Sequence, residues 1–160
     1  MALQSLDDVY VDQIADLYSA ERQLVDALPK VAEAASSSEL RNALQSHLKE
    51  TEGHVQRLTR IMEKLDDVPN ETCKGMQGLI EESDELASEE GDGAAKDAAL
   101  IAAAQRVEHY EIAGYGTART LAEQLGRDED KRLLKQTLDE ESNADEKLTG
   151  IAMKINPKAN

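Results

Sequence analysis

The chain has 160 residues, which is enough for one domain with a substantial core and too few for two comfortable ones. Its 33 acidic and 18 basic residues give a formal net charge of -15, which argues against nucleic acid or an anionic membrane as the partner, because both require clustered Lys and Arg. The sequence has one cysteine, no charged-then-apolar leader and no run of about 18 apolar residues, and therefore predicts a cytoplasmic location.

The first helix is predicted over residues 5–35, with Ser5 as its N-cap and two aspartates in its first turn. Pro29 lies inside this span and predicts a kink or a break, because proline removes a backbone donor from the helix. One glutamate interrupts an apolar stripe at helical spacing, which consists of Ile14, Leu17, Glu21, Leu24, Leu28 and Val31.

The second helix is predicted over residues 38–66, after a turn of three serines. Its stripe alternates spacings of four and three, as expected of a helix packed nearly parallel to its neighbours. The stripe consists of Leu40, Leu44, His47, Thr51, His54, Leu58, Ile61 and Leu65. Pro69 ends this pattern, and a short amphipathic helix is predicted over residues 76–89 within the connection that follows.

Two more long helices are predicted over residues 94–126 and 128–154, the second with Asp128 as its cap. The stripe of the first is Ile101, Ala104, Glu108, Glu111, Tyr115, Ala118, Ala122 and Leu125. The stripe of the second is Leu134, Leu138, Glu141, Asp145, Leu148 and Ala152. Short turns on either side of a long crossover predict a single all-α domain over residues 1–160. Its form is a four-helix bundle of two antiparallel hairpins, with a short extra helix in the crossover.

A faint internal repeat supports this arrangement. An offset of 90 residues places Glu50 on Glu140 and Glu21 on Glu111, with several leucines and isoleucines also in register. Such an offset is expected of two helical hairpins related by a pseudo-twofold axis. A helical repeat array is the competing interpretation, but two copies are too few for a solenoid.

Polar residues at the middle of all four long helices indicate a metal site. A buried carboxylate is costly unless it is paired or binds a metal. It is also improbable that four helices carry exposed polar residues at the same level of the bundle by chance. Inward carboxylates from four helices suit a pair of iron or manganese ions better than structural zinc, which favours Cys and His. The candidate ligands are Glu21, Glu50, His54, Glu108, Glu111, Glu141 and Asp145.

Several of these positions have a second interpretation. His47, one turn before Glu50, is expected to support a ligand or to be solvated rather than to bind metal itself. Glu50 lies on the edge of its stripe and could point outward, and Asp145 could be a surface charge. The repeat offset selects Glu140 as the inward acid of the fourth helix whereas the stripe selects Glu141. We follow the stripe, because periodicity reports burial directly.

Three stretches, which lie at residues 17–24 (LYSAERQL), 78–82 (GLIEE) and 97–111 (DAALIAAAQRVEHYE), carry a resemblance to a known group. Nearly the whole chain is similar to the YciE/YciF family of small bacterial ferritin-like proteins, within the rubrerythrin-type ferritin-like superfamily. The resemblance implies a ferritin-like four-helix bundle with a crossover helix, a homodimer and a carboxylate-bridged di-metal site. The superfamily carries Glu-x-x-His on its second and fourth helices, whereas this chain has Gly53 and Ala144 at the histidine positions.

The resemblance also implies a function in bacterial stress. We expect two iron ions in the bundle core, with manganese or zinc as alternatives, and either iron binding or reaction with peroxide or dioxygen. If the protein is an enzyme, it is an oxidoreductase of the peroxidase or ferroxidase type. The alternative is a non-enzymatic dimeric stress or scaffold bundle whose polar core binds no metal.

Overall fold

The computed structural model describes residues 3–159 of the chain. The helices are α1 (Leu6–Ala34), α2 (Ser38–Met62), α3 (Lys74–Ser88), α4 (Gly93–Gln124) and α5 (Asp128–Ile155), followed by a 3-10 turn over Asn156–Lys158. This arrangement confirms the predicted all-α, ferritin-like four-helix bundle with a short extra helix in its crossover. Within residues 3–159, none of the helices is long and apolar enough to cross a membrane.

Side-chain caps begin four of the five helices of the described part. In α1, Ser5 accepts a hydrogen bond from the Asp8 amide while the Asp8 carboxylate accepts one from the Ser5 amide, which forms a capping box. Ser37, Cys73 and Asp92 cap α2, α3 and α4 in a similar way. The predicted cap of α5 is wrong, because Asp128 is the first helical residue and is preceded by Arg127 without a side-chain cap bond. Three acidic residues in the first turn of α5 instead complement the helix dipole.

Pro29 does not break α1, which continues from Leu6 to Ala34. The proline is exposed, so the backbone carbonyl that it leaves without a helical donor lies on the solvent side of the helix. The predicted break is therefore wrong, and α1 packs along the length of the bundle as one element.

The four long helices form two antiparallel hairpins, α1 with α2 and α4 with α5, which pack through the α1–α4 and α2–α5 contacts. Helix α3 packs on α1 and α4. The hairpins are also joined at one end by Asp97, whose two carboxylate oxygens accept the backbone amides of Ser36 and Ser37 at 2.8 and 2.7 Å. This bond pair fixes the α1–α2 turn against the start of α4.

The apolar core consists of two separate layers. One surrounds Leu24, Leu44 and Leu148, and the other surrounds Leu17 and Leu58. On α1, Glu21 lies between Leu17 of one layer and Leu24 of the other, and the other long helices repeat this order. A buried polar layer therefore crosses the middle of the bundle, with hydrophobic packing on either side.

Candidate metal centre

The polar layer brings six buried side chains together from all four long helices. They are Glu21 of α1, His47 and His54 of α2, Glu108 and Glu111 of α4, and Glu141 of α5. They form two overlapping groups, in each of which one potential ligand atom per residue lies within 4.8 Å of the others. We call these six residues the core cluster.

The first group consists of His54, Glu21 and Glu141, all with fully buried side chains. His54 Nδ1 lies 2.8 Å from Glu141 Oε1 and 3.2 Å from Glu21 Oε1. Tyr115, on α4, donates a hydrogen bond to Glu21 Oε1 at 2.5 Å and holds this carboxylate in place. The three residues thus present oxygen and nitrogen donors toward one point between α1, α2 and α5.

The second group consists of His47, Glu108, Glu111 and Glu141. His47 lies seven positions before His54, two helical turns away on the same face of α2. His47 Nε2 lies 3.4 Å from Glu108 Oε1 and 3.5 Å from Glu141 Oε2. Glu141 therefore belongs to both groups, which is the placement expected of a carboxylate that bridges two ions.

A carboxylate at the rim of the cluster contacts the outer nitrogen of each histidine. Glu50 Oε2 lies 3.2 Å from His47 Nδ1, and Glu140 Oε2 lies 2.9 Å from His54 Nε2. Glu140 also accepts two hydrogen bonds from Arg57, at 2.6 and 2.9 Å, which favour its ionised form. Because an ionised carboxylate can only accept, the outer nitrogen of each ring carries a proton, and when the ring is neutral the inner nitrogen has a lone pair that faces the cluster.

Burial and mutual repulsion shape the titration of the acids in the cluster. Desolvation raises the pKa of Glu108 and Glu111 well above the ordinary value, and the nearby charge of Glu141 raises both further. Burial by itself lowers the pKa of His54, but hydrogen bonds to Glu141 and Glu21 raise it to about 10. Without a metal, protons therefore supply the positive charge that the cluster requires.

The chemistry of the cluster fits a pair of metal ions. With both histidines neutral and protonated on their outer nitrogens, eight of its buried ligand atoms have no hydrogen-bond partner: Glu21 Oε2, His47 Nε2, His54 Nδ1, Glu108 Oε2, both oxygens of Glu111 and both oxygens of Glu141. Orphaned polar atoms at this density are costly in a protein core. When ionised, the four glutamates carry four negative charges, which two divalent ions would neutralise, and two imidazoles complete a donor set suited to iron or manganese.

Five of the seven residues expected as ligands lie in the core cluster, and two lie outside it. The side chain of Glu50 is 38% exposed and contacts His47 from the rim. Asp145 accepts a hydrogen bond from Gln105 at 3.0 Å and lies 3.3 Å from His109 Nε2, away from the cluster. On α5 it is Ala144 that is buried one turn after Glu141.

Sequence reasoning did not assign His47 as a ligand, although the signal was present. His47 belongs to the same apolar stripe as His54, whereas Glu50 lies on the edge of that stripe. Applying the periodicity to both positions would have favoured His47. The expectation that all four helices supply inward carboxylates pointed to Glu50 instead.

Comparison with known proteins identifies the family. The model of the family described as a domain of unknown function, DUF892, matches residues 5–160. The chain belongs to the DUF892 family. It is 46% identical over 162 residues to the protein YciF of Escherichia coli K12, with 99% of this chain and 98% of that protein covered. The predicted membership of the YciE/YciF family is therefore confirmed.

Solved structures similar to this DUF892 chain have the same fold. The crystal structure of the E. coli stress protein YciF matches with a TM-score of 0.94 and 45% identity, over 98% of this chain and 99% of that one. YcfI from Rhodopseudomonas palustris matches with a TM-score of 0.87 and 43% identity, over 92% of this chain and 94% of that one.

Proposed function

We propose that this protein binds two divalent metal ions, iron or manganese, in its core cluster. The observation that carries the proposal is the set of buried, unpartnered donor atoms contributed by four helices. Zinc remains an alternative occupant, because the two imidazoles and four carboxylates also suit it. The cost of burying these acids is comparable with the total stability of a domain, roughly 5–15 kcal/mol, and metal binding would offset it.

The geometry suggests which residues would hold each ion. Glu21 and His54 would hold one ion, and a second group of three residues, His47, Glu108 and Glu111, would hold the other. Glu141 belongs to both groups and would contribute one oxygen to each ion. This assignment retains five of the seven ligands expected from the sequence, adds His47, and gives Glu50 the role of orienting its ring.

Iron bound at this position would supply the redox chemistry needed to react with peroxide or dioxygen. The protein's own residues would orient the donors and limit water access. Glu50 and Glu140 hold the protons of the two imidazoles on the outer nitrogens. Tyr115 donates a hydrogen bond to Glu21. The two apolar layers of the core bury the cluster on both sides.

We further propose a cellular role in bacterial stress, because E. coli YciF is described as a stress protein and is 46% identical. The role would be either iron binding or a reaction with peroxide or dioxygen. In the second case the protein would be a cytoplasmic oxidoreductase of the peroxidase or ferroxidase type. A homodimer is part of this proposal and rests on the family resemblance. Size-exclusion chromatography with light scattering measures the oligomeric state directly.

One contact favours a second candidate, a non-enzymatic stress or scaffold bundle that binds no metal. A protonated His54 forms an ion pair with Glu141 at 2.8 Å, which satisfies part of the cluster without any ion. This arrangement does not satisfy Glu111, both of whose oxygens remain without a partner. The metal-binding function therefore accounts for more of the cluster.

Metal analysis distinguishes the two candidates. Protein expressed with added iron and purified without chelator should contain about two transition-metal ions per chain by elemental analysis. The Glu111→Gln variant should contain fewer, whereas Glu146→Gln, at an exposed position of α5, serves as the matched control. Less than about one ion per chain in the wild-type protein would favour the metal-free bundle.

A further inference from the structure

A small internal cavity lies against the core cluster beneath α3. Its volume is about 30 Å³, and we call it the α3 chamber. Helices α1, α2, α3 and α4 all contribute to its lining, which consists mainly of aliphatic side chains such as Leu24, Leu44 and Val107. His47 and Glu108, both members of the core cluster, also line it. The chamber therefore touches the second group of candidate ligands.

The lining indicates what the chamber can hold. A single water requires roughly 10–15 Å³ of such space and needs two to four polar partners. Ser83 is the one hydroxyl residue of the lining, and it already donates to the Leu79 carbonyl at 2.9 Å. Away from the cluster, the Ser83 oxygen is the one side-chain atom of the lining that could accept a hydrogen bond from a water, which is fewer than the two to four partners that a buried water needs. The space thus favours an apolar molecule of two or three atoms.

The exposure of the lining residues shows which end of the chamber is nearer the protein surface. Ala27 of α1, Ile80 of α3 and Ala104 of α4 are half-buried, whereas His47 and Glu108 are buried. The outer end therefore lies where α3 covers the groove between α1 and α4, and the inner end lies at the core cluster. The three outer residues bear no polar side-chain atoms, so a charged or strongly hydrated molecule would lose its hydration there without gaining hydrogen bonds to side chains.

We propose that the α3 chamber is a binding and access site for a small apolar gas, dioxygen, on its way to the core cluster. The access role rests on the proposed metal-binding function, because dioxygen would react at the metal. The capacity of the chamber to hold an apolar molecule does not depend on any metal. Ala27 and Ala104 keep the chamber open because a larger side chain at either position would extend into it.

Xenon, an apolar atom, tests the chamber in the metal-free protein. Crystals held under xenon pressure should show an anomalous peak in contact with Leu24 and Val107. The peak should be lost in Ala27→Leu and in Ala104→Leu. The matched control is Ala34→Leu, because Ala34 is half-buried on α1 but does not line the chamber, and it should keep the peak. No peak in the wild-type protein, or a peak retained in both filled variants, would overturn the proposal.

Oxidation of Fe(II)-loaded protein tests the access route. At limiting dioxygen, the rate should fall several-fold in both filled variants and remain unchanged in Ala34→Leu. With hydrogen peroxide, which is polar, the filled variants should keep the wild-type rate. Equal slowing with both oxidants would overturn the route for an apolar gas. If the protein binds no iron, the proposed function fails, and the xenon experiment still decides whether the chamber binds a gas.

Discussion

Glu50 and Glu140 hold equivalent places in the two halves of the bundle, because each contacts the outer nitrogen of a histidine on α2. They are 90 positions apart, which is the offset of the internal repeat. The same offset relates Thr51 to Glu141, both of which are fully buried. The repeat therefore identifies the rim carboxylates, and the apolar stripe identifies the inward position on α5.

This equivalence predicts that the two rim carboxylates act on metal affinity through the histidines. Glu50→Gln and Glu140→Gln should each weaken zinc binding by about 10–100-fold without changing its stoichiometry, because a neutral amide replaces the charged acceptor that orients each imidazole. Isothermal titration calorimetry with zinc, which is redox-inert, measures both quantities. Glu146→Gln is the exposed control on α5 and should match the wild type. Wild-type affinity in both rim variants would contradict the assigned role.

The shared position of Glu141 predicts a different outcome from that of Glu21. Glu141→Gln replaces the carboxylate shared by both groups with a neutral amide that has one oxygen, and should reduce zinc or manganese binding from about two ions to less than one per chain. Glu21→Gln makes the same change in one group only and should leave about one ion per chain. Asp139→Asn, on an exposed turn of α5, should bind as the wild type does. Equal losses in the Glu21 and Glu141 variants would show that Glu141 is not shared.

Helical periodicity predicted the fold and the depth of the polar layer because burial repeats with the helical turn. All six stripe positions predicted on α1 are buried, and so are seven of the eight predicted for the second helix. The eighth, Leu65, lies beyond the end of α2 and is half-buried. On α5 three of the six predicted positions are wrong by one residue, because the buried residues are Thr137, Ala144 and Ile151 rather than Leu138, Asp145 and Ala152. An isolated stripe does not report such a phase error, because either choice keeps spacings of three and four.

The contacts between helices were not available from the sequence. The bonds from Arg57 to Glu140 and from His54 to Glu140 depend on the register between α2 and α5, and residues more than 80 positions apart give no local signal of it. The placement of both imidazoles on α2 likewise differs from the usual distribution over two helices. The convergence of four glutamates and two histidines is therefore visible only in the assembled bundle, and it does not require one histidine on each of two helices.

The surroundings of two glycines of α4 predict that substitution by alanine has opposite effects on the free energy of unfolding. A Cβ at Gly114 would lie 2.8 Å from Leu17 Cδ2, and Leu17 is fully buried one turn from Glu21. A Cβ at Gly116 would have no neighbour within 4 Å. Gly116→Ala should raise the free energy of unfolding by about 0.5–1 kcal/mol, because alanine loses less backbone entropy in a helix. Gly114→Ala should lower it by about 1–3 kcal/mol through overpacking. Urea unfolding of the metal-free protein measures both changes, and equal effects would show that α1 and α4 do not approach closely here.

The raised pKa values of Glu108 and Glu111 predict how the stability of the metal-free protein depends on pH. An acid whose pKa is higher in the folded chain contributes stability that is fully present below its unfolded value, about 4.3, and is lost as the pH rises through the folded pKa. His54, with its pKa raised to about 10, acts in the same direction above about pH 6.5. Burial by itself raises the pKa of Glu141, but hydrogen bonds from His54 and Glu108 and the charges of His47 and His54 together lower it below its ordinary value. Glu141 therefore affects stability only in more acidic solution.

The free energy of unfolding of the metal-free protein should therefore fall between about pH 5 and pH 8, and manganese should restore it at the upper end by binding the folded state. Glu111→Met removes one buried acid and should raise the stability of the metal-free protein at about pH 8 by about 1–4 kcal/mol, while weakening metal binding. Glu146→Met, at an exposed position, should change it by less than about 0.5 kcal/mol. Urea unfolding at a series of pH values measures these differences. A wild-type stability that rises over this range would mean that the core cluster is ionised and satisfied without metal.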